Sequence, residues 1–147
     1  MAHVRQQIRD AVASRLTSQV SLVSSRVFTT RMHPLNEDLL PAISVYTGNE
    51  TSERYTSGVT DINRELSLEI DLYVREASTF DDKCDAIAVQ VEEAMAGDFT
   101  IGGLAKSSVL TSTEIQFDGE ADQILGVAKL TYLVKYVTAL NDVETAK

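Results

Sequence analysis

Between residues 64 and 75 apolar and polar side chains alternate one for one. Leu66, Leu68, Ile70, Leu72 and Val74 stand against Ser67, Glu69, Asp71, Tyr73 and Arg75. A period of two puts each set on one face of a pleated strand, so the segment predicts a half-buried β-strand. The same period returns in the last third of the chain. Residues 110–117 and 124–137 flank the turn-rich Asp118-Gly119-Glu120-Ala121-Asp122-Gln123 and predict a long antiparallel hairpin. In its second arm Ala128, Leu130, Tyr132, Val134 and Tyr136 share one face. Val127, Leu133 and Val137 fall on the other, among Lys129, Thr131 and Lys135. One apolar face suffices for a sheet in a single domain, so the second set asks for a further partner: a helix, a loop or another subunit.

A period near 3.6 marks two helices. Val4, Ile8, Ala11, Val12 and Leu16 form a stripe that predicts a helix over 3–17, with Arg15 inside the stripe as a point of fraying, snorkelling or carboxylate pairing. Cys84, Ile87, Ala88, Val91, Ala94 and Met95 fall within about 120° of arc at ~100° per residue, predicting a helix over 81–96. Asp81 and Asp82 suit its positive N-terminal end and Gly97 a left-handed C-terminal cap. Shorter strands are expected over 26–30 and 42–46, with Pro41 at the start of the second and a turn-rich connection over 33–38. Residues 47–63, TGNETSERYTSGVTDIN, offer only Tyr55, Val59 and Ile62 as apolar anchors. They read as a long polar loop or an extended, weakly paired hairpin. So little burial does not offset about 1–2 kcal/mol of backbone entropy per residue, so the segment is expected to order only on assembly.

These elements make an α+β fold, two helices packed on a mostly antiparallel or mixed sheet that ends in a C-terminal hairpin. Residues 1–147 form a single domain, with a flexible tail beyond residue 140. The expected core is Leu66, Leu68, Ile70, Leu72, Val74, Ile87, Val91, Leu130, Tyr132 and Val134.

Charge and composition narrow the function. A net charge of −9 opposes clamping of nucleic acid, which uses Lys and Arg to displace counterions. One cysteine cannot close an internal disulfide, and no apolar run approaches the ~20 residues of a membrane span. Soluble cytoplasm is the expected setting. Asp118, Glu120 and Asp122 have the alternate spacing that begins a calcium loop, but the sixth position holds Gln123 and the twelfth Lys129, so turn chemistry accounts for them better. Cys84 lies on an apolar helix face and reads as a buried thiol. His3, near a terminus expected to fray, and His33, before Pro34, read as surface residues rather than ligands or bases. Phosphate-binding and nucleophile-elbow motifs are missing from the sequence. The reading is a non-enzyme without cofactor or metal.

The strand ending in Ala42-Ile43-Ser44-Val45-Tyr46, the run Arg64-Glu65-Leu66-Ser67-Leu68-Glu69-Ile70-Asp71-Leu72-Tyr73-Val74 and the helix leading into Gly97-Asp98 resemble the tail terminator proteins of long-tailed bacteriophages. The run 110–120 and the final strand over 128–138 extend the likeness to this minor tail protein U-like, or tail-completion, family. The resemblance implies a structural virion protein. It would form a hexameric ring that caps the tail tube, ends tube polymerisation and provides the surface for head–tail joining. Implied partners are further copies of itself, the tail tube protein, the head–tail connector protein, and duplex DNA passing through the channel without specific binding; no membrane is involved. The implied location is the virion tail, after assembly in the host cytoplasm. A chain of this length has a radius of gyration near ~15 Å, and six touching spheres of that size leave a hole ~38 Å across, wide enough for a duplex. Alternatives are a head–tail connector or neck component and, from another class, a small-ligand-binding α+β domain. Leu133, Val137 and Tyr55 are the candidate subunit or tube contacts, and Glu50, Glu53 and Arg54 the candidate channel-facing loop.

Overall fold

The computed structural model describes residues 2–24, 26–29, 41–54, 60–75, 79–118 and 125–147. Along the chain run α1 (Val4–Gln19), a 3-10 turn (Ser21–Val23), β1 (Val27–Phe28), β2 (Ala42–Glu53) and β3 (Asp61–Val74). Then come α2 (Phe80–Gly97), β4 (Ser107–Asp118), β5 (Leu125–Ala139) and β6 (Asp142–Ala146). The strands form one 6-stranded sheet in the order β1-β2-β3-β5-β4, with β6 also paired to β5. Only β1 and β2 run parallel; the other pairs are antiparallel. The class is α+β with a mixed sheet, as the two periodicities imply.

The two strongest alternations lie side by side. β3 pairs with β5 so that Leu66, Leu68, Ile70 and Leu72 stand opposite Val134, Tyr132, Leu130 and Ala128. All eight are buried, and they make the inner face of the sheet. Onto it α1 packs Val4, Ile8, Val12 and Leu16, and α2 packs Cys84, Ile87, Val91, Ala94 and Met95, closing one core. Every residue expected in the core is buried. Gly126 is required where α2 begins. A Cβ there would fall 1.6 Å from the Phe80 ring, so only glycine lets this ring lie on the strand.

Four expectations need correction. Arg15 does not fray α1: its Nε donates to the Ala94 carbonyl at 2.5 Å, satisfying an acceptor in the last turn of α2. Gly97 is not a left-handed cap; it is the last residue of α2, and a Cβ on it would meet Arg15 Nη2 at 2.6 Å. The left-handed residues come later, at Ile101, Gly102 and Gly103. Of the two readings of 47–63, residues 47–53 take the hairpin rather than the loop, paired with β3 out to Glu53 opposite Asn63. Finally, the segment expected as a flexible tail forms β6, whose Glu144 carbonyl accepts from Gln7 Nε2 of α1 at 2.7 Å.

Candidate functional site

Two polar constellations and one apolar surface stand out on this frame. The first begins with a bulge. The register of β2 on β3 shifts between Thr47 and Glu50, and the extra residue resets the alternation so that Glu50 faces inward opposite Leu66. Its carboxylate is nearly buried, its side chain 8% exposed. Oε2 accepts from Arg5 Nη1 of α1 at 2.6 Å and from Arg64 Nη1 of β3 at 3.2 Å. Oε1 accepts from the Tyr136 hydroxyl of β5. Arg64 also donates from Nε to Thr138 Oγ1 at 3.1 Å, and its guanidinium lies over the Tyr136 ring, 6.0 Å from the centroid.

Burial, then the hydrogen bond to Glu50, pushes the Tyr136 phenol well above its usual range. His3 belongs to the same corner as the N-cap of α1, its Nδ1 accepting from the Arg5 amide at 3.0 Å. Burial, reinforced by the charges of Arg5 and Arg64, lowers its pKa. The Glu50 carboxylate is held between two guanidinium groups. Its physical effect is to strap α1, β2, β3 and β5 together.

The second constellation lies on the outer face of the sheet, away from the helices. Asp71 is buried; its Oδ2 accepts from Tyr46 at 2.9 Å and Tyr73 at 3.4 Å, while Oδ1 has no hydrogen-bond partner among the described residues. Burial raises the Asp71 pKa, partly offset by the Tyr46 bond and by Lys129. Burial and the Asp71 charge together push Tyr73 up to about 12. Further along this face the polar cover gives way. Leu133 stands half-buried between Ser67 and Val109, and Val109 is 56% exposed. Val137, also half-buried, lines a groove of about 440 Å³ with Glu53, Asn63, Glu65 and Lys135.

Leu133 and Val137 thus lie on the face that their parity implies. Glu53 and Arg54 are exposed at the end of β2. Glu50 is not with them: it lies within β2, where the bulge turns it inward opposite Leu66. Tyr55 lies outside the described residues, as do His33 and 119–124 of the acidic turn. Among the described residues no cluster of three or more His, Cys, Asp or Glu is placed to hold a metal ion. The Cys84 thiol is pushed up to about 11 by burial and by Asp81 and Asp85, which leaves it protonated and inert at neutral pH. The Glu50 network is what sequence reasoning missed. The available signal was Gly48 within a polar strand, since an isolated strand glycine marks a bulge.

A sequence profile of the phage minor tail protein U family matches residues 3–136. The chain belongs to this family. Membership makes it a structural component of a phage tail, located in the tail of the virion. No curated protein matches the chain. Among solved structures it is similar to a chain from the virion of a native gene transfer agent particle, with a TM-score of 0.59 and 15% sequence identity. The alignment covers 86% of this chain and 92% of that one, so the likeness runs through the whole fold.

Proposed function

We propose that this minor tail protein forms a ring at the head-proximal end of the tail tube, where it ends tube polymerisation and presents the surface for head–tail joining. Family membership supports the tail role. The observation that carries the ring is the half of the sheet's outer face left uncovered among the described residues. Both helices pack on the inner face, yet Leu133 and Val137 stay half-buried and Val109 exposed on the other side. Apolar side chains at such positions favour a protein neighbour over water. The neighbours are further copies, the tube protein below and the connector protein above. The acidic balance of the chain lets duplex DNA pass without being held.

Electron microscopy of tails carrying a tagged copy tests this reading. Six copies in a ring at the head-proximal end are the expected result. Copies distributed along the tube, or gathered at its far tip, would contradict it. Replacing both Leu133 and Val137 with Lys is expected to leave a folded monomer that does not enter rings.

A further inference from the structure

Each of the two lateral margins of the sheet carries exposed apolar side chains. One margin is β4, a 12-residue strand with a neighbour, β5, on one side only. Among the described residues the backbone donors and acceptors on its other side have no strand to meet. Residues 111–116 are all exposed, including Ile115 at 46%. Val109 is exposed on the same strand, and beside it Phe99 is 55% exposed, its carbonyl held by Ser108 Oγ at 2.9 Å.

Long edge strands are normally protected by lysine, proline or a covering element, because an open ladder of amides pairs with any available strand. Among the described residues β4 has none of these devices over 107–117: no covering element, no Lys, no Pro, and Glu114 as its one charge. The bulge between Leu110 and Ser112 leaves a continuous paired run from Ser112 to Asp118. Thr111, Thr113, Val109, Ile115 and Phe117 are residue types that suit a paired strand.

The opposite margin is β1 with the 3-10 turn before it. β1 is the other terminal strand of the sheet order, and Leu22 in the turn is 46% exposed. Its backbone amide is tied to Gln90 Oε1 of α2 at 3.2 Å, beside Val89, which is 52% exposed. Arg26, immediately before β1, supplies a cation at this margin, where β4 supplies Glu114.

Resting on the ring reading, we propose that the β4 margin of one copy pairs with the β1 margin of a second copy, so that the sheet continues from subunit to subunit. The two margins are different surfaces, so the contact is head-to-tail. A head-to-tail contact closes into a ring when its rotation allows, whereas a contact of β4 with β4 would stop at a dimer. Backbone pairing supplies the ladder, and Val109, Ile115 and Leu22 lose their exposure.

The test uses purified tail tubes capped with the purified full chain. Ile115→Lys and Leu22→Lys each alter one margin at an exposed position, and Thr113→Lys serves as a second β4 variant; melting of each free variant checks its fold. Each is expected to cut capped tubes by about tenfold or more at fixed concentration, the change given by roughly 1.4 kcal/mol of lost contact. Hydrogen exchange on the wild-type cap, which needs no variant, is expected to slow at the amides of 107–118 and 27–28 relative to the free chain. Capping by Leu22→Lys at wild-type level, or β4 amides exchanging equally fast in cap and free chain, would overturn the pairing while leaving the ring in place. Failure of the wild-type chain to cap tubes at all would instead remove the ring reading and this proposal with it.

Discussion

Two polar strand segments flank the apolar ladder of β3 and β5, and they are held by different forces. The lower half of β2, residues 47–53, turns one carboxylate inward through a bulge and fastens it to Arg5, Arg64 and Tyr136. β4 turns no charge inward; among its inner positions Leu110 packs on the core, and the strand is otherwise held by its ladder to β5. The first segment is committed to its own subunit. The second keeps a whole margin open among the described residues. Polarity along a strand therefore does not say whether it is mobile or where its partners lie. The position of its charges relative to the pleat does.

The largest expected effect strikes the ladder on which both segments rest. Ile70→Ala removes a fully buried side chain from the centre of β3 and is expected to cost about 2–5 kcal/mol in urea unfolding. A loss below ~0.5 kcal/mol, the range of neutral surface changes, would take Ile70 out of the core and the comparison with it. Glu50→Ala leaves two guanidinium groups facing each other without their carboxylate. The expected cost is about 3 kcal/mol, the low end for breaking a buried ion pair because Arg5 is partly exposed. Amide exchange at 50–53 should rise with it, while β4 stays as it was. If 50–53 remain protected, the ladder rather than the network holds lower β2.

Gly126→Ala acts away from both segments. The new Cβ must displace the Phe80 ring, for about 1–3 kcal/mol of overpacking, read as a lower melting temperature. Ile115→Lys on β4 is expected to leave the free chain within about 0.5 kcal/mol of wild type, in contrast to Glu50→Ala. The smallest effect is one of pH. Burial raises the folded-state pKa of Asp71 above its ordinary 3.8. Its contribution therefore favours the fold at acid pH, and is lost as pH rises through the folded-state value. Asp71→Asn removes this term, so the fall in stability between pH 4 and pH 7 should be smaller in the variant than in wild type; an unchanged difference would show that Asp71 is ionised without cost.

Much of the fold was legible because it is written in side-chain periodicity. The alternation of 64–75 and 128–136 and the stripes of the two helices name the buried residues directly. Leu133 and Val137 follow from the same parity. Lower β2 was legible only as the weakly paired hairpin, one of two alternatives, and β6 was not legible, since neither owes its place to an apolar stripe. Lower β2 depends on a one-residue bulge and on Arg5, 45 positions away from Glu50 in sequence. β6 depends on a hairpin return and on Gln7 of α1, 137 positions from Glu144. Arg15 looked like a flaw in a helical stripe for the same reason: its acceptor belongs to another helix. Long-range polar pairing leaves no local pattern to read.

Tail length in particles assembled without this chain tests the central claim most directly. In the proposed role the chain sets where the tube stops, so its absence is expected to give overlong tails or tails without heads in electron micrographs, and adding the purified protein during assembly should restore a uniform length. Tails of normal length joined to heads in the absence of the chain would contradict the account.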